Sequence, residues 1–167
     1  MARTKILRSL GLLRLSSPEI VDGDPVLPRH TAEGGNRSPE LSWSEPRAGT
    51  ASFAVTFEDL RGLHGAPFTL WVVYNIPGSL RALPDGLSKV PQPPEVPGAL
   101  QGLNDTGAIG YDGPAPPPGH PLHRYLFTIH SLDRVLELPP GITRTVLEKA
   151  IEGHVLETGT LLGTCRR

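Results

Sequence analysis

Glycine and proline interrupt this chain more often than they interrupt most globular proteins. Its 167 residues include 19 Gly and 19 Pro, about twice the combined share that is usual for these two residues. Proline breaks the interior of a helix, and glycine weakens it. These breaks exclude a mainly helical bundle or a coiled coil, and they favour short strands joined by turns.

The apolar content nevertheless allows a buried core. Leu, Ile, Val and Phe account for 45 of the 167 residues, a larger share than the roughly 20 % below which disorder is typical. The length suits one domain of ordinary size. We predict that this domain covers residues 15–167. Residues 1–14 are predicted to be a frayed N-terminal extension, or to lead into a first strand near Leu13–Leu15.

The charges of the chain are balanced, with a formal net charge of −1 at pH 7. This balance gives no electrostatic basis for binding nucleic acid or a membrane surface. Cys165 is the single cysteine of the sequence, so neither an intrachain disulfide nor a cysteine zinc cluster can form. No apolar stretch is long enough to span a membrane, and the one near the basic N-terminus is too short for a secretory signal. We therefore predict a cytoplasmic protein.

Three strands are predicted from the spacing of apolar residues. Phe53, Val55 and Phe57 alternate with smaller residues, which indicates a strand with aromatic side chains on one face. Residues 70–76 form an almost unbroken apolar run, typical of a strand that is covered on both faces, and residues 124–131 alternate again. Shorter strands are predicted at residues 26–27, 41–43 and 160–165. The predicted fold class is mainly β, an antiparallel β-sandwich with a late helix.

The late helix is predicted over residues 143–157. Its apolar residues recur at helical spacing, Thr145 and Glu148 have the spacing of a capping box, and Gly159 can end it. His154 falls on the same apolar stripe. This helix face could pair two copies of the chain, so a homodimer is possible.

A loop over residues 84–121 contains ten prolines, and we predict that it is ordered and functional. Asn104 and Asp112 suit tight turns within it. Residues 111–125 could form a rigid pocket edge, because prolines fix the backbone before a ligand binds. The same segment could equally be a rigid turn that binds nothing.

No arrangement of catalytic residues stands out in the sequence. Neither a Gly-x-Ser-x-Gly elbow nor a phosphate-binding glycine loop occurs, so we predict that the chain is not an enzyme and has no cofactor. His120 and His123 have a spacing seen at metal sites. A third ligand is missing, however, and Pro121 breaks the helix that this spacing usually needs. We therefore predict no metal site.

Four stretches of the chain, taken in order, resemble the phosphatidylethanolamine-binding protein family, specifically its prokaryotic Raf-kinase-inhibitor-like branch. They are residues 36–43, 68–77, 104–125 and 150–164. The resemblance implies an antiparallel β-sandwich with C-terminal helical structure. It also implies a small pocket at one end that binds phosphate or a phospholipid headgroup. Family members are binding and regulatory proteins, described as kinase or protease inhibitors.

The resemblance further implies which residues form the pocket. They are Asp59, Trp71, Pro118, Gly119, His123 and Tyr125. His123 is expected to be the main donor to the anion, and Tyr125 to hydrogen-bond the anion or close the floor. Asp59 is expected to orient His123 and not to touch the anion, because two negative charges repel. Pro118 and Trp71 are expected to form walls.

The family's D-P-D-A-P motif is broken in this chain. Asp59 matches its first Asp, but Arg61 stands near the place of the second, and Leu70 replaces the expected His. Loss of one imidazole donor lowers anion affinity about tenfold, whereas an added Arg acts in the opposite direction. Three possibilities stay open: a scaffold without ligand, a different ligand, or the usual binding.

The functional prediction is thus a non-enzymatic binding protein with a small anion or phospho-headgroup pocket that is partly degenerate. The alternative is a protein–protein regulator with a vestigial pocket. In that case the exposed proline-rich loop, residues 91–121, would dock on a kinase or a protease.

Overall fold

The computed structural model describes residues 11–62 and 64–167. Within them β-structure dominates, and the strands are β1 Gly11–Leu12, β2 Leu15–Ser16, β3 Leu41–Trp43, β4 Ser52–Asp59, β5 Phe68–Pro77, β6 Ala82–Leu83, β7 Leu100–Gln101, β8 His123–Leu132 and β9 Val155–Cys165. One α-helix of these residues, α1, spans Arg144–Ile151, and a 3-10 turn spans Pro28–His30. No helix in the described part of the chain has the length and apolar character needed to cross a membrane.

Two sheets form a sandwich, which confirms the predicted fold class. The larger sheet has the order β1-β9-β8-β4-β5-β7, and the smaller has the order β2-β3-β6. Neighbouring strands are antiparallel except for β1, which runs parallel to β9. The long strands β4, β5, β8 and β9 are aligned along most of their length. The end of each strand therefore lies beside the start of its neighbour.

Alternation along the central strands builds two cores. Phe53, Val55 and Phe57 of β4 pack toward Leu41 and Leu83 of the small sheet. The residues between them point to the other face, where Ala54, Val72, Tyr74 and Leu132 pack against Leu147 and Ile151 of α1. Strands β4 and β5 are therefore covered on both faces. The prediction for residues 70–76 is confirmed, and the half-buried strand predicted around residue 55 is in fact fully buried.

The predicted helix is too long at its C-terminal end. It ends at Ile151 because Gly153 adopts a left-handed backbone with φ of 78°. Gly159, predicted to end the helix, lies inside β9. The N-cap is Thr143, whose hydroxyl accepts from the Val146 amide at 3.4 Å, and not Thr145.

The helix face expected to pair two copies of the chain is occupied within the domain. Leu147 and Ile151 pack on the large sheet, and His154 lies beyond the helix, with its Nδ1 3.1 Å from Asp133 Oδ1. The homodimer therefore loses the surface on which the prediction rested.

The N-terminal prediction falls partly on residues 1–10, which lie outside the described residues. Residues 11–14 are not a frayed extension, because β1 pairs with β9 and Leu13 is buried in the core. The strand predicted at residues 26–27 is absent. Pro25 instead forms an isolated bridge with Thr164, and the 3-10 turn follows, since Pro28 suits the start of a helical turn.

A buried asparagine of β5 holds the segment that follows β8. The Asn75 amide donates to the Leu136 carbonyl at 2.9 Å, and its oxygen accepts from the Leu136 amide at 2.8 Å. Asn75 itself has a left-handed backbone with φ of 54°.

We expect Asn75→Ala to lower the free energy of unfolding by about 2–3 kcal/mol, because two buried hydrogen bonds are lost and alanine is strained at this φ. Asn75→Gly loses the same bonds without the strain and should cost about 1 kcal/mol less. Urea unfolding of both variants measures the difference. Equal losses would show that the backbone conformation contributes nothing.

Candidate functional site

A buried aspartate–histidine pair lies where β4 ends and β8 begins. His123 Nδ1 is 2.6 Å from Asp59 Oδ2, and the two side chains are 3% and 12% exposed. Because a carboxylate only accepts, Nδ1 carries the hydrogen and donates it. The contact fixes the orientation of the imidazole ring, which is the role that the sequence predicts for Asp59.

The second oxygen of the same carboxylate organises the turn after β4. Asp59 Oδ1 accepts from the backbone amides of Arg61 and Gly62 at 3.0 and 3.2 Å. This is the local side-chain-to-backbone bonding that short acidic side chains favour in turns. One aspartate therefore connects the β4–β5 turn to the first residue of β8.

A cavity of about 410 Å³ opens beside this pair. Its size lies within the ordinary range for small-molecule sites. Its lining residues are Ala32, Asp59, Gly62, Phe68, Leu70, Thr106, Asp112, Gly113, Ala115, Pro117, His123 and Tyr125. Apolar side chains make up most of the wall, and two carboxylates face it.

Three of the six predicted site residues are brought together here, namely Asp59, His123 and Tyr125. Trp71 does not line the cavity. It is fully buried in the core, where its Nε1 donates to Gln101 Oε1 at 2.8 Å and its ring meets Tyr111 edge-on.

Pro118 and Gly119 also lie outside the lining, and Pro117 takes the wall position that the sequence assigned to Pro118. By Gly119 the backbone has turned away from the cavity. The Gly119 amide is directed toward the Arg167 carbonyl at 3.4 Å, and Gly119 has φ of 78°.

Leu70 reaches the cavity because β5 carries a bulge. Phe57 pairs with Trp71 and Glu58 pairs with Thr69, so Leu70 has no partner on β4. A bulge re-aims the side chains beside it. Sequence periodicity does not reveal this irregularity, and it puts an aliphatic side chain into the wall where the resemblance predicts an imidazole.

Asp112 is a site residue that the sequence analysis treated only as a turn former. Its Oδ2 accepts from Asn104 Nδ2 at 3.1 Å, and its Oδ1 accepts from Asn36 Nδ2 at 3.1 Å. Thr106 Oγ1 lies 2.6 Å from both Asp112 Oδ2 and Asn104 Oδ1 and donates its one hydrogen to either of them. Burial opposes the ionisation of Asp112, but these bonds and the Lys89 charge together hold the pKa of Asp112 below its ordinary value. Asp112 is thus an anion at neutral pH.

The proline-rich loop is held firmly against the 3-10 turn. Tyr111 donates its hydroxyl hydrogen to the His30 carbonyl at 2.8 Å, and the Ala32 amide donates to the Pro114 carbonyl at 3.0 Å. Gly113 is needed between them, because a Cβ there would lie 2.1 Å from the His30 carbonyl oxygen. The loop is ordered, as predicted, and it forms one wall of the cavity.

The Tyr125 side chain forms part of the wall, and its buried hydroxyl makes no hydrogen bond of good geometry, although it interacts with the Asp59 carboxylate. Burial, and then the nearby Asp59 carboxylate, raise the pKa of Tyr125 well above its ordinary value. The phenol therefore stays neutral. A buried polar group without a well-aligned partner is costly.

The site holds little machinery for covalent chemistry. Burial raises the pKa of the Cys165 thiol, which lies opposite His123 in the β8–β9 pairing. A protonated thiol is a poor nucleophile. Within residues 11–62 and 64–167, no three His, Cys, Asp or Glu side chains are grouped to hold a metal ion.

Sequence and structural comparisons place this arrangement among known proteins. A family model described as phosphatidylethanolamine-binding protein matches residues 16–166. The chain belongs to the phosphatidylethanolamine-binding protein family. It is 37% identical over 157 residues to a UPF0098 protein of Aquifex aeolicus, covering 93% of this chain and 90% of the relative. It is 42% identical over 156 residues to the UPF0098 protein YbhB of Escherichia coli, covering 89% and 97%.

A crystal structure of E. coli YbcL, described as a new member of the mammalian family, has a TM-score of 0.86 at 30% identity, covering 93% of this chain and 98% of that one. The structure shows where the two residues that depart from the family's motif lie relative to the cavity. Leu70 lines the cavity, whereas Arg61 is exposed and is not part of the wall. The expected compensation by an arginine is therefore missing from the lining.

Proposed function

We propose that this member of the phosphatidylethanolamine-binding protein family binds a small organic ligand in the cavity and releases it unchanged. One observation carries the proposal: the buried Asp59–His123 pair lines an open cavity of about 410 Å³ together with Tyr125. A rigid, largely apolar pocket with a few polar groups is typical of ligand sites.

Binding without turnover fits the chemistry of the wall. His123 with its aspartate would need an adjacent nucleophile to act as a catalytic base. The one hydroxyl of an aliphatic side chain in the lining, Thr106 Oγ1, already donates to Asp112 or Asn104. Incubation with panels of phosphate and carboxylic esters should release no product above the rate in buffer.

The charge of the lining gives little support to an anion as the ligand. Asp59 and Asp112 line the cavity, and none of the lining residues is Lys or Arg. Anion sites normally concentrate positive charge or free amides. A small anion in this cavity would therefore have His123 as its main partner, with no Lys or Arg beside it.

The alternative of a protein regulator needs the proline-rich loop to be free for docking. Residues 112, 113, 115 and 117 of this loop line the cavity, and Val96 and Ala99 are buried in the core. Deleting the loop would remove the cavity as well, so deletion cannot separate the two functions. Point substitutions in the wall can.

Tyr125→Phe tests the proposed function most cleanly. It removes only the hydroxyl, which has no well-aligned hydrogen bond, so the free energy of unfolding should stay equal or rise by about 1 kcal/mol. Affinity for a neutral probe such as benzyl alcohol should fall severalfold if the hydroxyl hydrogen-bonds the ligand. Chemical-shift titration of the backbone amides measures the affinity, and urea unfolding measures the stability.

Tyr74→Phe is the matched control, because the Tyr74 hydroxyl bonds the Pro139 carbonyl on the opposite face of the sheet. It should lose stability and keep probe binding. If Tyr125→Phe is destabilising and binding is unchanged, the hydroxyl serves the fold and the proposal loses its support.

A further inference from the structure

We propose that a buried His30–Glu19 pair positions the proline-rich wall of the cavity, and that it does so only while the two side chains hold one proton between them. Ligand binding in the cavity then weakens at alkaline pH, where that proton is lost. The inference rests on the proposed function, because the affinity concerned is that of the same cavity. Its basis is a fully buried imidazole whose two nitrogens both face acceptors.

Both ring nitrogens of His30 lie against oxygen atoms. Nδ1 is 2.7 Å from the Arg37 carbonyl oxygen, which can only accept, so Nδ1 carries a hydrogen. Nε2 contacts Glu19 Oε2, and neither of these two buried atoms has another hydrogen-bond partner among the described residues. An ionised carboxylate also only accepts. One further proton must therefore lie between Nε2 and Oε2, on the imidazole or on the carboxyl group.

Burial makes this proton important. The His30 side chain is fully buried, and that of Glu19 is 14% exposed. Without the shared proton, the lone pair of a ring nitrogen would face a carboxylate that is largely removed from water. The carboxylate would keep Arg29 as the partner of its other oxygen, but the imidazole would repel it. The two side chains would then separate.

The groups that surround the pair do not titrate in the same range of pH. The titratable and charged side chains around His30 are those of Glu19, Arg29, Arg37, Asp85 and Tyr111. The hydrogen bond between Arg37 and Asp85 raises the pKa of the guanidinium and lowers the pKa of the carboxyl. Burial raises the pKa of Tyr111. Between neutral and moderately alkaline pH, the proton of the His30–Glu19 pair is therefore the one that this cluster can lose.

The His30 side chain closes the loop that follows the 3-10 turn. Its bond to the Arg37 carbonyl joins the two ends of this loop. Asn36, one residue earlier, donates to Asp112 Oδ1 at 3.1 Å and accepts from the Gly113 amide at 2.7 Å. Asp112 and Gly113 line the cavity. The position of the wall therefore depends on a loop that His30 closes.

The backbone of the same turn contacts the wall directly. The His30 carbonyl accepts from the Tyr111 hydroxyl, and the Ala32 amide donates to the Pro114 carbonyl. Ala32 also lines the cavity. When His30 loses its contact with Glu19, both links shift with the turn. Neither His30 nor Glu19 lines the cavity, so they are positioning residues and not ligand contacts.

His130 provides a contrast within the same chain. It is partly buried, its Nδ1 lies 2.9 Å from the Thr158 hydroxyl, and burial lowers its pKa. A hydroxyl can accept or donate, so it satisfies a neutral ring. We therefore expect His130 to be neutral at pH 7, because it has no carboxylate against it, whereas the His30–Glu19 pair holds its additional proton.

The first measurement counts the protons on the pair. In the isotope-labelled full chain, the ring nitrogen shifts of His30 and the carboxyl shift of Glu19 are followed by NMR from pH 6 to pH 10. At pH 7 we expect either two N–H groups on the His30 ring or a protonated Glu19, and one N–H group on His130. A neutral His30 ring beside an ionised Glu19 at pH 7 overturns the proposal.

The second measurement is the affinity for benzyl alcohol over the same range of pH. The intact wall holds the proton more tightly than the displaced wall, so linkage makes the affinity fall as pH rises through the loss of the proton. We expect a fall of about tenfold. It should occur in step with the His30 ring shifts and with changes in the shifts of the Ala32 and Gly113 amides.

Two substitutions at Glu19 separate the contact from its charge. Glu19→Ala removes the contact and should weaken benzyl alcohol binding about tenfold at pH 7. Glu19→Gln should rescue most of that loss, because its amide can donate to the Nε2 of a neutral His30, and its affinity should no longer depend on this proton. Glu45→Ala and Glu45→Gln are the matched controls, at an exposed carboxylate whose partner is Arg81. They should bind as the unaltered chain does.

The outcomes separate this inference from the proposed function. Constant affinity while the pair loses its proton overturns the positioning role, and so does a Glu19→Gln variant that keeps the full dependence on pH. If benzyl alcohol binds at no pH, the proposed function fails, and the Ala32 and Gly113 amide shifts still decide whether the pair positions the wall. If Glu19→Ala does not fold, the unaltered chain and Glu19→Gln give the same decision.

Discussion

Replacing Asp59 with Ala is expected to lower the free energy of unfolding by about 3 kcal/mol and to abolish binding of the benzyl alcohol probe. Asp59 accepts from the Arg61 and Gly62 amides and from His123 Nδ1. Its loss leaves a buried imidazole N–H without an acceptor and removes the anchor of the β4–β5 turn. Hydrogen bonds to a charged group are among the strongest in proteins, and removing one partner of a buried pair is strongly destabilising.

Two further variants test how much of this loss of stability comes from the hydrogen bonds of Asp59. Asp59→Asn retains one acceptor oxygen, so it can satisfy either the turn or His123, and we expect about half of the loss. Asp133→Ala removes an exposed carboxylate whose partners are Arg134 and His154, and it should cost less than about 0.5 kcal/mol. Urea unfolding gives the three values. A loss at Asp59→Ala as small as that at Asp133→Ala would contradict the central role of the pair.

Most of the fold could be predicted from the sequence because the central strands have strong signals. The aromatic alternation around Val55 and the apolar run over residues 70–76 reflect burial on one or both faces of a sheet. Burial in turn follows from where the small sheet and α1 pack. Short elements with little apolar surface have weaker sequence patterns. This is why a strand was predicted at residues 26–27, where the structure has none.

The errors arose where local geometry overrides periodicity. The helix pattern continues to Val155, but Gly153 permits a left-handed turn that ends the helix early and starts β9. A helix that continues to Val155 and a helix that ends early and is followed by a strand both fit the same apolar spacing. Only the pairing of Val155 with Leu132 distinguishes them, and this pairing is a long-range contact that the local sequence does not contain.

The candidate site also has a part that the sequence predicts and a part that it does not. Asp59, His123 and Tyr125 meet because β4 and β8 are adjacent and antiparallel, and adjacent strands could be anticipated from the resemblance. The bulge at Leu70 and the donors that satisfy Asp112 depend on register and on loop packing. These features determine the charge and polarity of the cavity, and the sequence pattern alone does not show them.

The aromatic cluster beneath the cavity leads to the second large effect. Phe57 is fully buried, stacks on Phe127 at a centroid distance of 3.9 Å, and contacts Tyr111 at 5.5 Å and Tyr125 at 5.9 Å. We expect Phe57→Ala to lower the free energy of unfolding by about 3–5 kcal/mol. Because both tyrosines lose a supporting ring, affinity for benzyl alcohol should also fall about tenfold.

Phe53→Ala is the control matched in stability. Phe53 is equally buried on the same face of β4, but its aromatic partner is Trp43, at 5.1 Å. It lies six residues before Asp59, about 20 Å along the strand. The two variants should lose similar stability, whereas Phe53→Ala should bind benzyl alcohol as the unaltered chain does. If either alanine variant fails to fold, Phe57→Leu and Phe53→Leu repeat the comparison with losses of about 1–2 kcal/mol. Equal loss of binding at both positions would mean that affinity follows global stability, and that the stacked rings do not position Tyr125 for the ligand.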